Sequence, residues 1–180
     1  MTNLVSNTGV VASDTTGVGT ARSALAAASY GSSGQAIFGY GTNNTPATVS
    51  LTNLISNTGV VANDTTGVGT ARSGLAAAGY GTDKAIFGYG ISGATYYSMT
   101  NRVSNTGVVA TNSASVGQTR QGLAAGTYGM DKAIFGYGVV TGVTTTAVTN
   151  LVSSTGTVST DTSGVGSSRS ALAAAGYSQA

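Results

Sequence analysis

The stretch "DKAIFGYG" occupies residues 83–90, returns unchanged at 131–138, and is echoed as "GQAIFGYG" at 34–41. A short apolar strand that closes on Gly-Tyr-Gly three times over marks a repeat architecture. "TNLVSNTGVVASDTTGVGTARSALAAASYG" from Thr2 and "TNLISNTGVVANDTTGVGTARSGLAAAGYG" from Thr52 stay in register almost throughout, and the unit starts again at Thr100 and Thr149. Successive starts differ by 50, 48 and 49 residues, which gives one repeat domain over 1–180 whose last unit is incomplete. The most variable parts are short, "TNNTPATVS", "ISGATYYSM" and "VVTGVTTTAV", each of which follows the last glycine of "FGYG".

Within a unit the texture is that of strands. Val, Ile, Thr, Tyr and Phe dominate and Gly recurs as punctuation. Ala is the best helix former, but "LAAAG" between glycines is too short to hold a helix. Four strands per unit are expected, exemplified by "SGLAAAGY", "KAIFGYG", the stretch ending in "SMTNRVS", and "GVVATNSA", with "GTDK" and "GMDK" as hairpin turns between the first two. Four short strands in about 49 residues is the spacing of a β-propeller blade, so the chain reads as an all-β propeller of nearly four repeats. A β-solenoid would repeat at 20–30 residues. The small side chains of Ala26–Ala28, Ala76–Ala78, Ala124–Ala125 and Ala173–Ala175 suit the crowded innermost strand. Leu25, Leu75, Leu123 and Leu172, with Phe38, Phe87 and Phe135, form the expected core.

The succession Arg72-Ser73-Gly74-Leu75-Ala76-Ala77-Ala78, a turn, and Lys84-Ala85-Ile86-Phe87-Gly88-Tyr89-Gly90 resembles the kelch repeat, with Gly-Tyr-Gly where kelch repeats carry Gly-Gly and with no Trp. The near-identity of the units is also similar to recently amplified propeller repeats in virion proteins of marine and cyanobacterial phages. These resemblances imply a kelch-like propeller and place the chain in a virion or another extracellular setting.

Phase bears on closure. Ser178-Gln179-Ala180 aligns with Gly34-Gln35-Ala36 and Met1 with Met99, so the chain reads as a permuted set of four units lacking one strand, about 13 or 14 residues. It is expected not to close alone as a perfect four-bladed ring, and to pair its open terminal blade with another copy or to belong to a longer array.

Composition narrows the function. Charged residues make up only 7% of the chain, the acidic ones are all Asp, and His, Cys and Glu are absent. No cluster of Lys or Arg exists to neutralise phosphates, which argues against nucleic acid despite a net charge of +2. No apolar run of 18 residues spans a membrane, and no signal peptide is seen. Ser and Thr are plentiful but have no His to activate them, so no enzyme, cofactor or metal site is expected. "GYGISG" at 88–93 fits a Gly-x-Gly-x-x-Gly pattern, but no helix or following acidic residue supports a nucleotide site. Asp14, Asp64 and Asp161, replaced by Asn112 in the third unit, read as turn residues that bond their own backbone.

Two sets of residues are candidates for contact with a partner. Arg22, Arg72, Arg120 and Arg169 recur just before the inner strand, where they either bond carbonyls or an Asp for structural reasons or ring a channel mouth that takes anions or glycans. Tyr96 and Tyr97 lie in a variable loop and form a candidate aromatic pair. The Tyr of each "FGYG", by contrast, reads as packing. The resulting expectation is a structural or interaction propeller that meets other protein subunits through its loops, with a carbohydrate-binding propeller as the alternative.

Overall fold

The structure is a computed structural model that describes residues 2–176. Among them there is no helix, and all regular structure is antiparallel β. Three equivalent sheets carry the fold. The first takes its strands from Ala26–Tyr30, Gln35–Gly39 and Thr52–Ile55, the second from Ala76–Tyr80, Lys84–Gly88 and Thr100–Val103, and the third from Ala124–Tyr128, Lys132–Gly136 and Thr149–Val152. In each, the "AIFG" strand lies in the middle and pairs with both others. Phe38 stands opposite Ala27 and Asn53, Phe87 opposite Ala77 and Asn101, and Phe135 opposite Ala125 and Asn150.

A fourth, irregular segment lies against each third strand. Val61 bridges Ile55 and Thr65 bridges Thr52, Val109 bridges Val103, and Val158 and Thr162 bridge Val152 and Thr149. Where the sequence led to four strands per unit, the sheets have three, and the fourth segment is held by isolated bridges alone. The hairpin joining third to fourth is tied by a serine. Ser56 Oγ accepts from the backbone N–H of Thr58 and Val60, and Ser6, Ser104 and Ser153 do the same in their units. Between first and second strands the expected turns form, with Tyr80 opposite Lys84 and Tyr128 opposite Lys132. Gly81 and Thr82 take the left-handed conformation there, and Asp83 instead holds Lys84 Nζ at 2.5 Å.

Ala-rich first strands stay extended because a left-handed residue (Ala24, Gly74 or Gly122) stands just before them and a tight turn just after, which leaves too few residues for a helix. They also let the sheets approach. The first strands of neighbouring sheets pack against one another, and the core is two equivalent clusters lying between sheets. Ile37 and Tyr40 meet Leu75, Ala85, Phe87 and Val103 in one, and Ile86 and Tyr89 meet Leu123, Ala133, Phe135 and Val152 in the other. Leu75, Leu123, Phe87 and Phe135 are buried as expected, whereas Leu25, Phe38 and Leu172, in the outermost layers, are half-buried. Burial follows sheet number because each sheet covers only its neighbours.

Residues 2–15 form the third and fourth strands of a further layer, with Val5 bridging Val11 and Thr2 bridging Thr15. At the other end Ala171 N–H donates to Gly122 O at 2.9 Å, and Ala174 and Ala175 lie against Gly126. Among the described residues no strand pairing joins this last segment to the N-terminal hairpin. The alignments of Met1 and of Ser178–Ala180, like Tyr177, fall outside the described residues.

Candidate functional site

The repeated Arg sits where the chain enters each sheet. Arg72 and Arg120 are fully buried. Arg72 Nε donates to Tyr89 O at 2.6 Å, Nη1 to Thr70 O at 3.0 Å, and Nη2 to Asn101 Oδ1 at 2.8 Å. Arg120 donates to Val148 O at 2.6 Å and to Asn150 Oδ1, and half-buried Arg22 donates to Tyr40 O, Leu51 O and Asn53 Oδ1. Arg169 is exposed and donates to Ser167 O at 3.2 Å. Burial lowers the Arg72 pKa, partly opposed by Tyr40, yet a guanidinium so placed stays charged.

The Asn in each "TN" completes a clasp. Asn53 Nδ2 donates to Ala62 O and to Asp64 Oδ1, and Asp64 Oδ2 accepts from the backbone N–H and hydroxyl of Thr20 at 2.9 and 2.7 Å. The loop Asp therefore does not bond its own turn as expected. It reaches 44 residues back to the approach of the first strand, and so ties that approach to the third and fourth strands. Burial acts to raise the Asp64 pKa, but the Thr20 and Asn53 hydrogen bonds and the Arg22 charge outweigh it and leave it below the usual carboxylate value. Asn112 serves as well as Asp in the second sheet because its oxygen accepts from Asn101 and from Thr70 N while its amide donates to Thr70 Oγ1. In the third, Asp161 accepts from Asn150 and Gln118 N. Asn53, Asn101 and Asn150 recur beside Thr in the sequence, but nothing local to them names their partners.

Three of the four Arg also cover the "FGYG" tyrosine of the preceding sheet. The Arg72 guanidinium lies 4.5 Å from the Tyr40 ring centroid, Arg120 4.5 Å from Tyr89, and Arg169 3.8 Å from Tyr137. Tyr40 meets Phe87 edge-on at 5.2 Å, and Tyr89 meets Phe135 in the same way. All three tyrosines have φ near +65°, an uncommon conformation for a residue with a side chain. The left-handed turn swings the ring off its own strand and into the next layer. Burial pushes the Tyr89 hydroxyl up to about 12, and that hydroxyl has no hydrogen-bond partner, whereas Tyr40 donates to Val68 O and Tyr137 to Val165 O, both at 3.1 Å.

The variable segments are ordered hairpins at this same end of the sheets. Thr42–Asn43 pairs with Arg22–Ser23, Ile91–Ser92 pairs with Thr95–Tyr96 while Ile91 also bridges Ser73, and Val139–Thr141 pairs with Thr144–Thr145 while Val139 bridges Gln121. The first and second hairpins touch, with Thr48 Oγ1 2.8 Å from Ser92 Oγ. Tyr96 and Tyr97 are half-buried in the second hairpin, and Tyr97 O accepts from Arg120 N at 3.2 Å. Val143, at the tip of the third, is 94% exposed. The structure thus brings the Arg positions and the Tyr96–Tyr97 pair to one end, with Arg72 and Arg120 beneath the surface and the hairpins upon it.

No protein-family model matches the chain, and no curated protein matches it either.

Proposed function

We propose that the chain is a non-enzymatic structural and interaction protein of the β-propeller type, part of a virion or another extracellular assembly, which meets its partner subunits through the row of hairpins at the Arg end. One observation carries this reading. The units diverge most in the three hairpins, and these share one face, with the first two in contact. Residues constant between units serve the clasp and the packing between layers, so divergence at the hairpins marks the surface where a partner distinguishes one layer from the next. The propeller form is supported by antiparallel four-segment sheets packed face to face through their small-residue first strands.

The carbohydrate reading draws on the half-exposed Tyr96 and Tyr97 on the same face, where an aromatic pair can stack on a sugar. A chain without cysteine allows a direct test. A bulky maleimide adduct at Val143→Cys, on the hairpin face, should block co-sedimentation with the parent particle, and the same adduct at Met130→Cys, on the opposite turn, should not. Block at Met130→Cys alone would sink the proposal. Specific glycan-array binding that disappears in Tyr96→Ala/Tyr97→Ala would shift it to the carbohydrate reading.

A further inference from the structure

The contact between successive layers is built twice from the same parts. A tyrosine from the middle strand of one sheet sits edge-on to the next sheet's phenylalanine and under its arginine, and beside it an isoleucine packs on the next sheet's alanine, phenylalanine and third-strand valine. Tyr40 further donates to Val68 O. The first sheet carries the receiving half of this contact at Phe38, Arg22 and Val18, positions equivalent to Phe87, Arg72 and Val68. These three line a pocket of about 260 Å³ together with Leu25, and Phe38 is half-buried where Phe87 and Phe135 are fully covered. A second pocket of about 620 Å³ lies where the isoleucine would go, against Ala36 and Ile55 on one side and Leu4 and Val5 on the other.

The edge beside these pockets is equally suited to a strand. In the complete sheets the third strand pairs on one side with the fourth segment and on the other with "AIFG", with Gly39 opposite Thr52 and Ala36 opposite Ile55. Thr2–Val5, equivalent to Thr52–Ile55, has its fourth segment, and among the described residues its other side pairs with nothing. Val5 is 64% exposed where Val103 and Val152 are fully buried.

We propose that the edge of Thr2–Val5 and the two pockets behind it form a strand-accepting site that takes from a partner polypeptide an extended segment of the type Ala-Ile-Phe-Gly-Tyr-Gly. The strand adds antiparallel to Thr2–Val5 through main-chain hydrogen bonds, its Ile enters the larger pocket, and its Tyr enters the smaller one with the ring beneath Arg22, edge-on to Phe38, and the hydroxyl donating to Val18 O. Specificity lies in the Gly-Tyr-Gly. A Cβ on the first glycine would meet the phenylalanine ring, as it does at Gly39, where the nearest ring atom is 2.7 Å away. The smaller pocket shares Arg22 with the hairpin end, but Val143 lines neither pocket, so the adduct test of the hairpin face and the peptide test of this site can fail independently.

The peptide Lys-Ala-Ile-Phe-Gly-Tyr-Gly, identical to residues 84–90, tests this by calorimetry with the intact chain. It should bind at one site per chain, and changing its Tyr to Ala, or Phe38 in the protein to Ala, should weaken binding by about tenfold or more. Val5→Asp, at an exposed edge position that leaves folding intact, should weaken it comparably. Three results would overturn the proposal: no saturable binding at peptide concentrations on the order of 1 mM, equal affinity for the Tyr→Ala peptide, or a dimer of the chain that Val5→Asp dissociates, which would show a second copy occupying the site.

Discussion

Arg72 shows how one side chain serves two contacts at once. Its three hydrogen bonds hold the approach of its own sheet, and its flat face covers the tyrosine of the sheet before. Arg72→Ala would leave Tyr89 O and Asn101 Oδ1 short of a donor in a buried site, at a cost of about 1–3 kcal/mol. In a chain of this size the melting temperature should fall by roughly 2–4 °C per kcal/mol. Arg169→Ala, at an exposed position with one long hydrogen bond and a solvent-facing stack on Tyr137, should change it by much less. If the two variants melt alike, the clasp is not what Arg72 contributes. The tyrosines permit a sharper comparison. Tyr40→Phe loses a hydrogen bond and should cost about 1 kcal/mol, while Tyr89→Phe removes a buried hydroxyl that has no partner and should be neutral or stabilising near pH 7. The raised Tyr89 pKa adds a pH signature. An unfolded tyrosine ionises near pH 10, so this group leaves folding stability independent of pH below that value and lowers it as pH rises from about 10 towards about 12. Urea titrations across this range should show a decline that Tyr89→Phe makes shallower, and equal slopes for parent and variant would refute the assignment.

At the level of strands and turns, much was legible because local chemistry decides it. The rhythm of short strands, the turns at Gly81 and Gly129, and the small-residue first strands follow from residues within a few positions of one another. What escaped was non-local. Repetition shows that Asp64 and Asn53 matter, but their partners Thr20 and Arg22 lie 44 and 31 residues away, and Asp before Thr-Thr is what a self-bonded turn also looks like. The left-handed tyrosines escaped for another reason, since a side chain at positive φ is disfavoured locally and is sustained only by the socket it enters. The glycines around them are testable. A Cβ on Gly88 would stand 2.7 Å from the Phe135 ring, so Gly88→Ala should cost about 1–3 kcal/mol through overpacking. Gly74 is also at positive φ, but Ala24 and Ala171 adopt the same conformation at the equivalent place, so Gly74→Ala should be clearly the milder change in thermal melts.

Across the whole molecule, stability should be graded along the stack. Each sheet is covered only by its neighbours, so the second sheet, covered on both faces, carries the most complete interior. Ala85, Ile86, Phe87 and Tyr89 are all without exposed surface there, whereas Phe38 in the first sheet and Tyr137 in the third are half-buried. In a stack with nearest-neighbour coupling, opening begins at the ends and advances inward. Native-state hydrogen exchange should therefore find the backbone amides of Lys84–Gly88 slowest, those of Gln35–Gly39 and Lys132–Gly136 faster, and that of Ala12, which bonds Leu4 O in the N-terminal hairpin, faster still. A ring in which the first and last layers meet would give a different pattern, because every sheet would then have two neighbours and the three middle strands would exchange at similar rates. Adding the Lys-Ala-Ile-Phe-Gly-Tyr-Gly peptide separates the cases further. On an open stack with a strand-accepting edge it should slow exchange at Ala12 and in Gln35–Gly39 while leaving Lys132–Gly136 unchanged, since coupling falls off with each layer. Equal protection of all three middle strands without peptide would rule out the open stack and show that the terminal layers cover each other.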